Sequence, residues 1–227
     1  MLPTIQNTNI ALLEQKEHIT KQEHEKLLEA CIKHYDRKER KGLYQEFIRD
    51  RNYMLMLALW NTGARVSDVC MFNVETIDTY NKHAKFVVNK LSKKDNNGNI
   101  INPIYHKVML EDSFILAFHN YIKKWDIKGY LFTQFNQRDK GITEQIPLSS
   151  KQVQVFLKEY CKIANIKGVH PHMYRHGVAI HLLHSGVALE IISKFLGHRN
   201  IETTIKFYAK ITPEFAWNMI QDKTRIN

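Results

Sequence analysis

The sequence predicts a mainly α protein carrying one small antiparallel β-sheet, an α+β class. Three observations carry that prediction. Helix-capping signatures and glycine stops bracket a series of helical stretches. One pair of strand-like runs flanks a turn-rich segment. Apolar residues at 44% and aromatics at 11% of 227 residues supply enough material for a sizeable core, which excludes a mainly disordered chain.

The elements follow in chain order. Residues 1–17 are polar with scattered apolar positions and read as an arm or short helix. Thr20-Lys21-Gln22-Glu23 is a capping box that opens a helix through Leu27, Leu28 and Ile32. The charged stretch 34–46, broken by Gly42, reads as a loop or helix junction. An apolar helix follows through Phe47, Ile48 and the run 53–60, and Asn61-Thr62-Gly63 stops it. The one convincing β signal comes next: Ala84–Leu91 and Ile104–Leu110 flank the turn Asp95-Asn96-Asn97-Gly98, a hairpin with a long tip. Everything after it reads as helix: 111–125, then 149–164 with Ser149 or Ser150 as cap, 171–185 ending at Gly186, and 187–196 ending at Gly197. A final helix starts at Thr212-Pro213, with Thr as cap and Pro in the first turn.

Composition narrows the function classes. No apolar run reaches the roughly 18 residues that span a bilayer, so no membrane partner is expected. The N-terminus lacks the basic and apolar regions of a secretion signal. Cys31, Cys70 and Cys161 are far apart with no CxxC pair, which excludes a disulfide framework and a zinc knuckle and fits reduced thiols in the cytoplasm. Net charge is +10 with a pI near 9.4, a field that favours polyanions. It is uneven: residues 82–107 carry six Lys against one Asp, whereas 20–51 are nearly balanced. Basic charge alone makes nucleic-acid binding plausible and no more.

Four patches hold unusual residues. Arg65, in TGARVSDV, follows a glycine turn at a helix start, where a guanidinium and backbone N–H groups can converge on an anion; the plainer reading pairs it with Asp68 or Asp50. His172 and Arg175 stand three apart on one helix face within HPHMYRHGVAIHLLH. Five His in that stretch invite a metal reading, but Met173 and Tyr174 stand where a zinc hydrolase needs its Glu, so His176, His181 and His184 read as structural or solvent-facing. His198 follows the helix-ending Gly197, and Tyr208 lies ten residues on, a position otherwise typical of half-buried packing. Lys90, Lys93 and Lys94 crowd the hairpin, where lysines also serve to discourage edge aggregation. Singly, each bland reading wins. Together, two Arg, two His, a Lys and a Tyr form the set that cuts a phosphodiester without metal: Arg to neutralise non-bridging oxygens, Tyr as nucleophile, Lys and His to move protons.

At this point the sequence resembles the tyrosine recombinase (phage integrase) family. The family order of Arg, hairpin Lys, His-x-x-Arg, His and Tyr appears as Arg65, Lys90 in VVNKLSKK, His172 and Arg175, His198 in LGHRN, and Tyr208 in TTIKFYAK. The resemblance covers about residues 18–215. It implies a catalytic domain over 18–210, an N-terminal arm over 1–17, and a C-terminal helix or tail over 211–227 that is exchanged between protomers.

The resemblance also implies an activity: site-specific strand exchange on double-stranded DNA through a 3′-phosphotyrosyl link on Tyr208, with no metal, ATP or other cofactor. Arg65, Arg175 and His198 would clamp the phosphoryl oxygens, His172 would act as acid/base, and Lys90 as general acid, with Lys93 and Lys94 as alternatives. Asp68 matches a usually acidic position that orients its neighbours. Self-assembly on DNA would be tetrameric, accessory DNA-binding proteins would be further partners, and the expected place is the cytoplasm, nucleoid-associated if the host is bacterial or archaeal. Most members carry a helical core-binding domain ahead of the catalytic one; here some seventeen residues precede the first helix, and weaker DNA affinity is the expectation. Three rivals remain: a type IB-like topoisomerase, a catalytically silent DNA-binding regulator, and a metal hydrolase built on 170–184.

Overall fold

Helix α2, Leu43–Thr62, is the axis of the molecule. Phe47, Met54, Leu55, Met56, Ala58 and Leu59 are all buried, and Tyr53, Leu57 and Trp60 on the remaining face are half-buried against the core. Such a helix must be enclosed, and α1 (Lys21–Asp36), α4 (Asp112–Trp125) and α6 (Pro171–His184) pack around it. The computed structural model describes residues 18–37, 42–136 and 141–198. The arm at 1–17, Tyr208 and the helix expected from Thr212 lie outside the described residues. Among the described residues, no helix is long and apolar enough to cross a membrane.

The predicted caps are in place. Thr20 Oγ1 accepts the Glu23 N–H at 3.2 Å while Glu23 Oε2 accepts the Thr20 N–H at 3.0 Å. Ser149 and Gln152 form the same reciprocal pair at the start of α5, Ser150–Ala164. Helix α4 buries Phe114, Phe118, Tyr121 and Trp125 on one stripe. Short α3 (Val66–Val69) follows α2, and α7 (Leu189–Leu196) follows α6. Cys31, Cys70 and Cys161 are unbridged and buried.

The hairpin is a three-stranded antiparallel sheet in the order β1-β2-β5, with β1 Ile77–Asp78, β2 His83–Val87 and β5 Tyr105–Met109. Ala84, Phe86 and Val108 point inward while Lys85 and Lys107 point out, the period of two expected of a half-buried sheet. Its tip is a smaller ladder of β3 (Lys93–Lys94) with β4 (Ile100–Asn102). Asp95 Oδ1 closes the turn by accepting the N–H groups of Asn97 and Asn99.

Two differences from the sequence reading matter. Strand β2 stops at Val87 rather than Leu91, because Leu91 and Ser92 both donate their N–H to the Val88 carbonyl and wind the chain into a turn. Lys90 therefore sits on an exposed turn. A second hairpin also stands where only helix was expected, with β6 (Thr133–Asn136) paired to β7 (Gly141–Pro147). Its runs, TQFN and GITEQIP, are short and polar, so hydrophobic period does not reveal them. Tertiary bonds hold it instead. Buried Arg51 donates to the Thr133 carbonyl at 2.9 Å, and Leu148 N–H donates to Phe132 at 2.8 Å.

Candidate active site

Two helices end on glycine at the same place. Gly63 closes α2 at φ +57°, and Gly197 closes α7 at φ +68°, both left-handed conformations that glycine adopts without strain. The ends touch: a Cβ on Gly63 would lie 2.8 Å from Leu196 Cδ2 and 3.3 Å from the Phe195 ring. Each end launches a candidate residue. Beyond Gly63 the chain turns into Arg65, the extended N-cap of α3. Beyond Gly197 comes His198, whose N–H bonds to Ser193 O at 3.0 Å while Gly197 N–H bonds to Lys194 O at 3.0 Å, the paired bonds of a Schellman motif.

Arg175 joins the two ends. From the middle of α6 its Nη1 donates to Gly63 O at 2.9 Å and its Nη2 to Leu196 O at 2.6 Å. Carbonyls at helix C-termini lack intrahelical donors and carry the negative end of the macrodipole, so a guanidinium is their natural partner. His172 lies one turn earlier on α6 and is exposed. Helix α6 is itself seated by Gly177, where a side chain would run into the Ile19 carbonyl, and by the Ile19 N–H bond to Met173 O at 3.3 Å.

Arg65 and Arg175 both act on His198. Burial lowers the His198 pKa to about 4, and the positive charges of Arg175, Arg65 and His176 add to the effect. The imidazole is therefore neutral near pH 7, and positive charge here comes from the two guanidinium groups.

The carboxylates that the sequence offered to Arg65 are engaged elsewhere. Asp50 is held by Arg49 at 2.7 Å, by Lys124 at 2.8 Å and by the Trp125 indole at 3.1 Å. Asp68, 2% exposed, accepts both the backbone and the side-chain N–H of Asn89 on Oδ1, each at 3.1 Å. That pair ties the α3 helix after Arg65 to the turn that carries Lys90. Lys93 and Lys94 lie farther along, exposed on β3.

The structure thus gathers Arg65, Arg175 and His198, places His172 one helical turn away and tethers the Lys90 turn beside α3. It does not describe Tyr208. Of the other histidines, His181 packs its ring 5.6 Å from Trp60, and His176 adds to the field at His198. Among the described residues, no group of three or more His, Cys, Asp or Glu side chains is arranged to hold a metal ion. Sequence reasoning overlooked Asn89, which has no signature before the Asp68 contact is seen. It also overlooked His106, whose signal was available: in IYHKVML it shares the inward face with Val108.

Comparison with known proteins supplies the family. The phage integrase family profile matches residues 17–214. Tyrosine recombinase XerA of Pyrococcus furiosus is 34% identical over 166 residues, covering 73% of this chain and 51% of the relative. The chain thus spans about half the length of the curated relatives it matches. Among solved structures, the crystal structure of XerA recombinase aligns with a TM-score of 0.67 at 18% identity, over 94% of this chain and 67% of that one. The Tn1549 transposon integrase in complex with transposon right end DNA aligns at 0.65 and 19% identity, over 92% and 66%. These two likenesses show the fold.

Proposed function

The chain belongs to the phage integrase family, and from that premise we propose that it is a tyrosine-type site-specific recombinase that cuts and rejoins double-stranded DNA. The observation that carries the reading is the convergence of Arg65, Arg175 and His198 at the junction of α2, α6 and α7. Two guanidinium groups and a neutral imidazole suit a phosphodiester whose non-bridging oxygens gain charge in the transition state. DNA as partner is supported by the basic charge of the chain and by the transposon integrase, whose fold it shares and which is in complex with DNA.

In this reading the Tyr208 oxygen attacks the scissile phosphorus, and the bond to the 5′ oxygen breaks. Lys90 gives its proton to that leaving oxygen, and His172 assists proton movement at the nucleophile. Arg65 and Arg175 neutralise the phosphoryl oxygens while His198 donates a neutral hydrogen bond. The 3′-phosphotyrosyl link keeps the bond energy, so a 5′-hydroxyl from a second duplex reverses the chemistry and exchanges strands without ATP. The catalytic domain is 18–210, and the 211–227 tail docks into a neighbouring protomer of a tetramer on DNA.

The test is product analysis on a plasmid carrying two copies of a DNA site selected by this protein from a random library. Recombinant circles formed in EDTA support strand exchange. Relaxed plasmid with no recombinants assigns the same site to a topoisomerase instead, and nicked or linear plasmid formed only with divalent metal points to the metal hydrolase rival.

A further inference from the structure

Two consecutive carbonyls in the last turn of α7 are capped from different elements. Leu196 O takes Arg175 Nη2 from α6. Phe195 O faces His106 Nε2 from β5 at 2.8 Å. A carbonyl can only accept, so Nε2 carries the proton. The same ring fills the space beside Gly197, where a Cβ would come within 3.1 Å of its Cε1 and Nδ1. His106 is fixed in turn by Phe86, its paired neighbour on β2, with ring centroids 5.6 Å apart at 85°. Strand β2 leads directly to Asn89 and Lys90.

We infer that His106 is a positioning residue for His198, pinning the end of α7 to the β2–β5 sheet so that His198 and the Lys90 turn keep a fixed relation. Geometry demands both halves of this side chain. The ring occupies the face of Gly197 that no Cβ can use, and the Nε2 proton satisfies a carbonyl one residue before the one Arg175 holds. Releasing His106 frees the Schellman turn to swing His198 away from Arg175 and Arg65. The catalytic consequence rests on the strand-exchange reading; the positional coupling does not.

The discriminating pair is His106→Gln and His106→Asn in the full chain. Both are neutral and polar. The longer Gln amide reaches Phe195 O, whereas the Asn amide stops near the Nδ1 position. The first readout is the His198 imidazole titration by NMR, which needs no DNA. Burial acts on His198 most, and the charges of Arg175 and His176 from α6 and Arg65 from the α3 entrance add to it. Wild type and His106→Gln should titrate near 4, and His106→Asn should move upward toward the ordinary histidine value.

The second readout is the rate of covalent DNA-adduct formation. It should fall by up to roughly 10² in His106→Asn, with DNA affinity unchanged, and recover in His106→Gln, as expected of a misplaced reacting group. Identical titrations and adduct rates in wild type and both variants would overturn the inference while leaving strand exchange standing. A titration difference with no adduct even in wild type would uphold the positioning and count against strand exchange.

Discussion

Arg175 Nη1 donates to the carbonyl of Gly63 at 2.9 Å, across 112 residues of chain. Because Nη2 reaches Leu196 at the same time, one side chain holds together the two helix ends from which Arg65 and His198 emerge. The residue proposed to bind phosphate is thus also the one that assembles its neighbours.

Replacing Arg175 with Lys should therefore fail on both counts. An ammonium is a single point and cannot span two carbonyls in the fork geometry of a guanidinium. Hydrogen bonds from charged groups contribute about 1.5–3 kcal/mol each, so Arg175→Lys should lower stability measurably in urea. It should also abolish DNA-adduct formation, although net charge is unchanged. Adduct formation near the wild-type rate would show that charge alone suffices.

Acid should weaken the fold through His24. Its buried ring stacks on Trp60 at 4.8 Å and meets Tyr174 edge-on at 5.6 Å. Burial lowers its pKa to about 4, with Lys21 adding to the effect. The unfolded chain takes up this proton near pH 6.5 and the folded chain only near 4. Stability contributed by neutral His24 is therefore lost as pH falls through that window, and the loss levels off below it, at about 3 kcal/mol in all. His24→Phe keeps the stacking and removes the proton. Urea unfolding at pH 7 and pH 4.5 should show a smaller loss in the variant; an equal loss would place the acid sensitivity elsewhere.

Gly177→Ala sets helix propensity against packing. Alanine should stabilise a helix interior by about 1 kcal/mol over glycine. At this position, however, the added carbon would meet the Ile19 carbonyl, and overpacking costs typically 1–3 kcal/mol. A lowered melting temperature is expected, together with reduced adduct formation as α6 shifts Arg175. A raised melting temperature would show that the contact relaxes.

How much of this was legible in the sequence depends on which physics sets each element. Helices bounded by local chemistry, such as Thr20 with Glu23, a serine cap at 149 or 150, and the stops at Gly63 and Gly197, were read correctly because their signals lie within a few residues. The β6–β7 hairpin was not, because Arg51 and chain pairing hold it rather than an apolar period. In the site, Arg65, His172, Arg175 and His198 stood out by type and order. The Asp68–Asn89 and His106–Phe195 bonds span 21 and 89 residues and become visible only once the chain is folded.

The hairpin lysines can be told apart by their leaving group. If Lys90 protonates the 5′ oxygen, Lys90→Ala should slow cleavage by roughly 10²–10⁴. Substituting sulfur for that bridging oxygen should restore the rate, since a thiolate leaves without a proton. Lys93→Ala and Lys94→Ala should show neither effect. Rescue of one of these instead would move the general acid onto β3. Asn89→Leu, which removes the side-chain half of the tether to Asp68 and leaves the backbone bond, should behave as a weaker Lys90→Ala.

Metal-free covalent cleavage through Tyr208 is put to the test by one experiment. Wild-type protein and Tyr208→Phe are mixed in EDTA with labelled supercoiled and nicked DNA carrying a selected site, and stopped with SDS. A DNA-linked protein band in the wild type that is absent from the Phe variant is the predicted result. A band that persists in Tyr208→Phe, or that needs divalent metal, would contradict it.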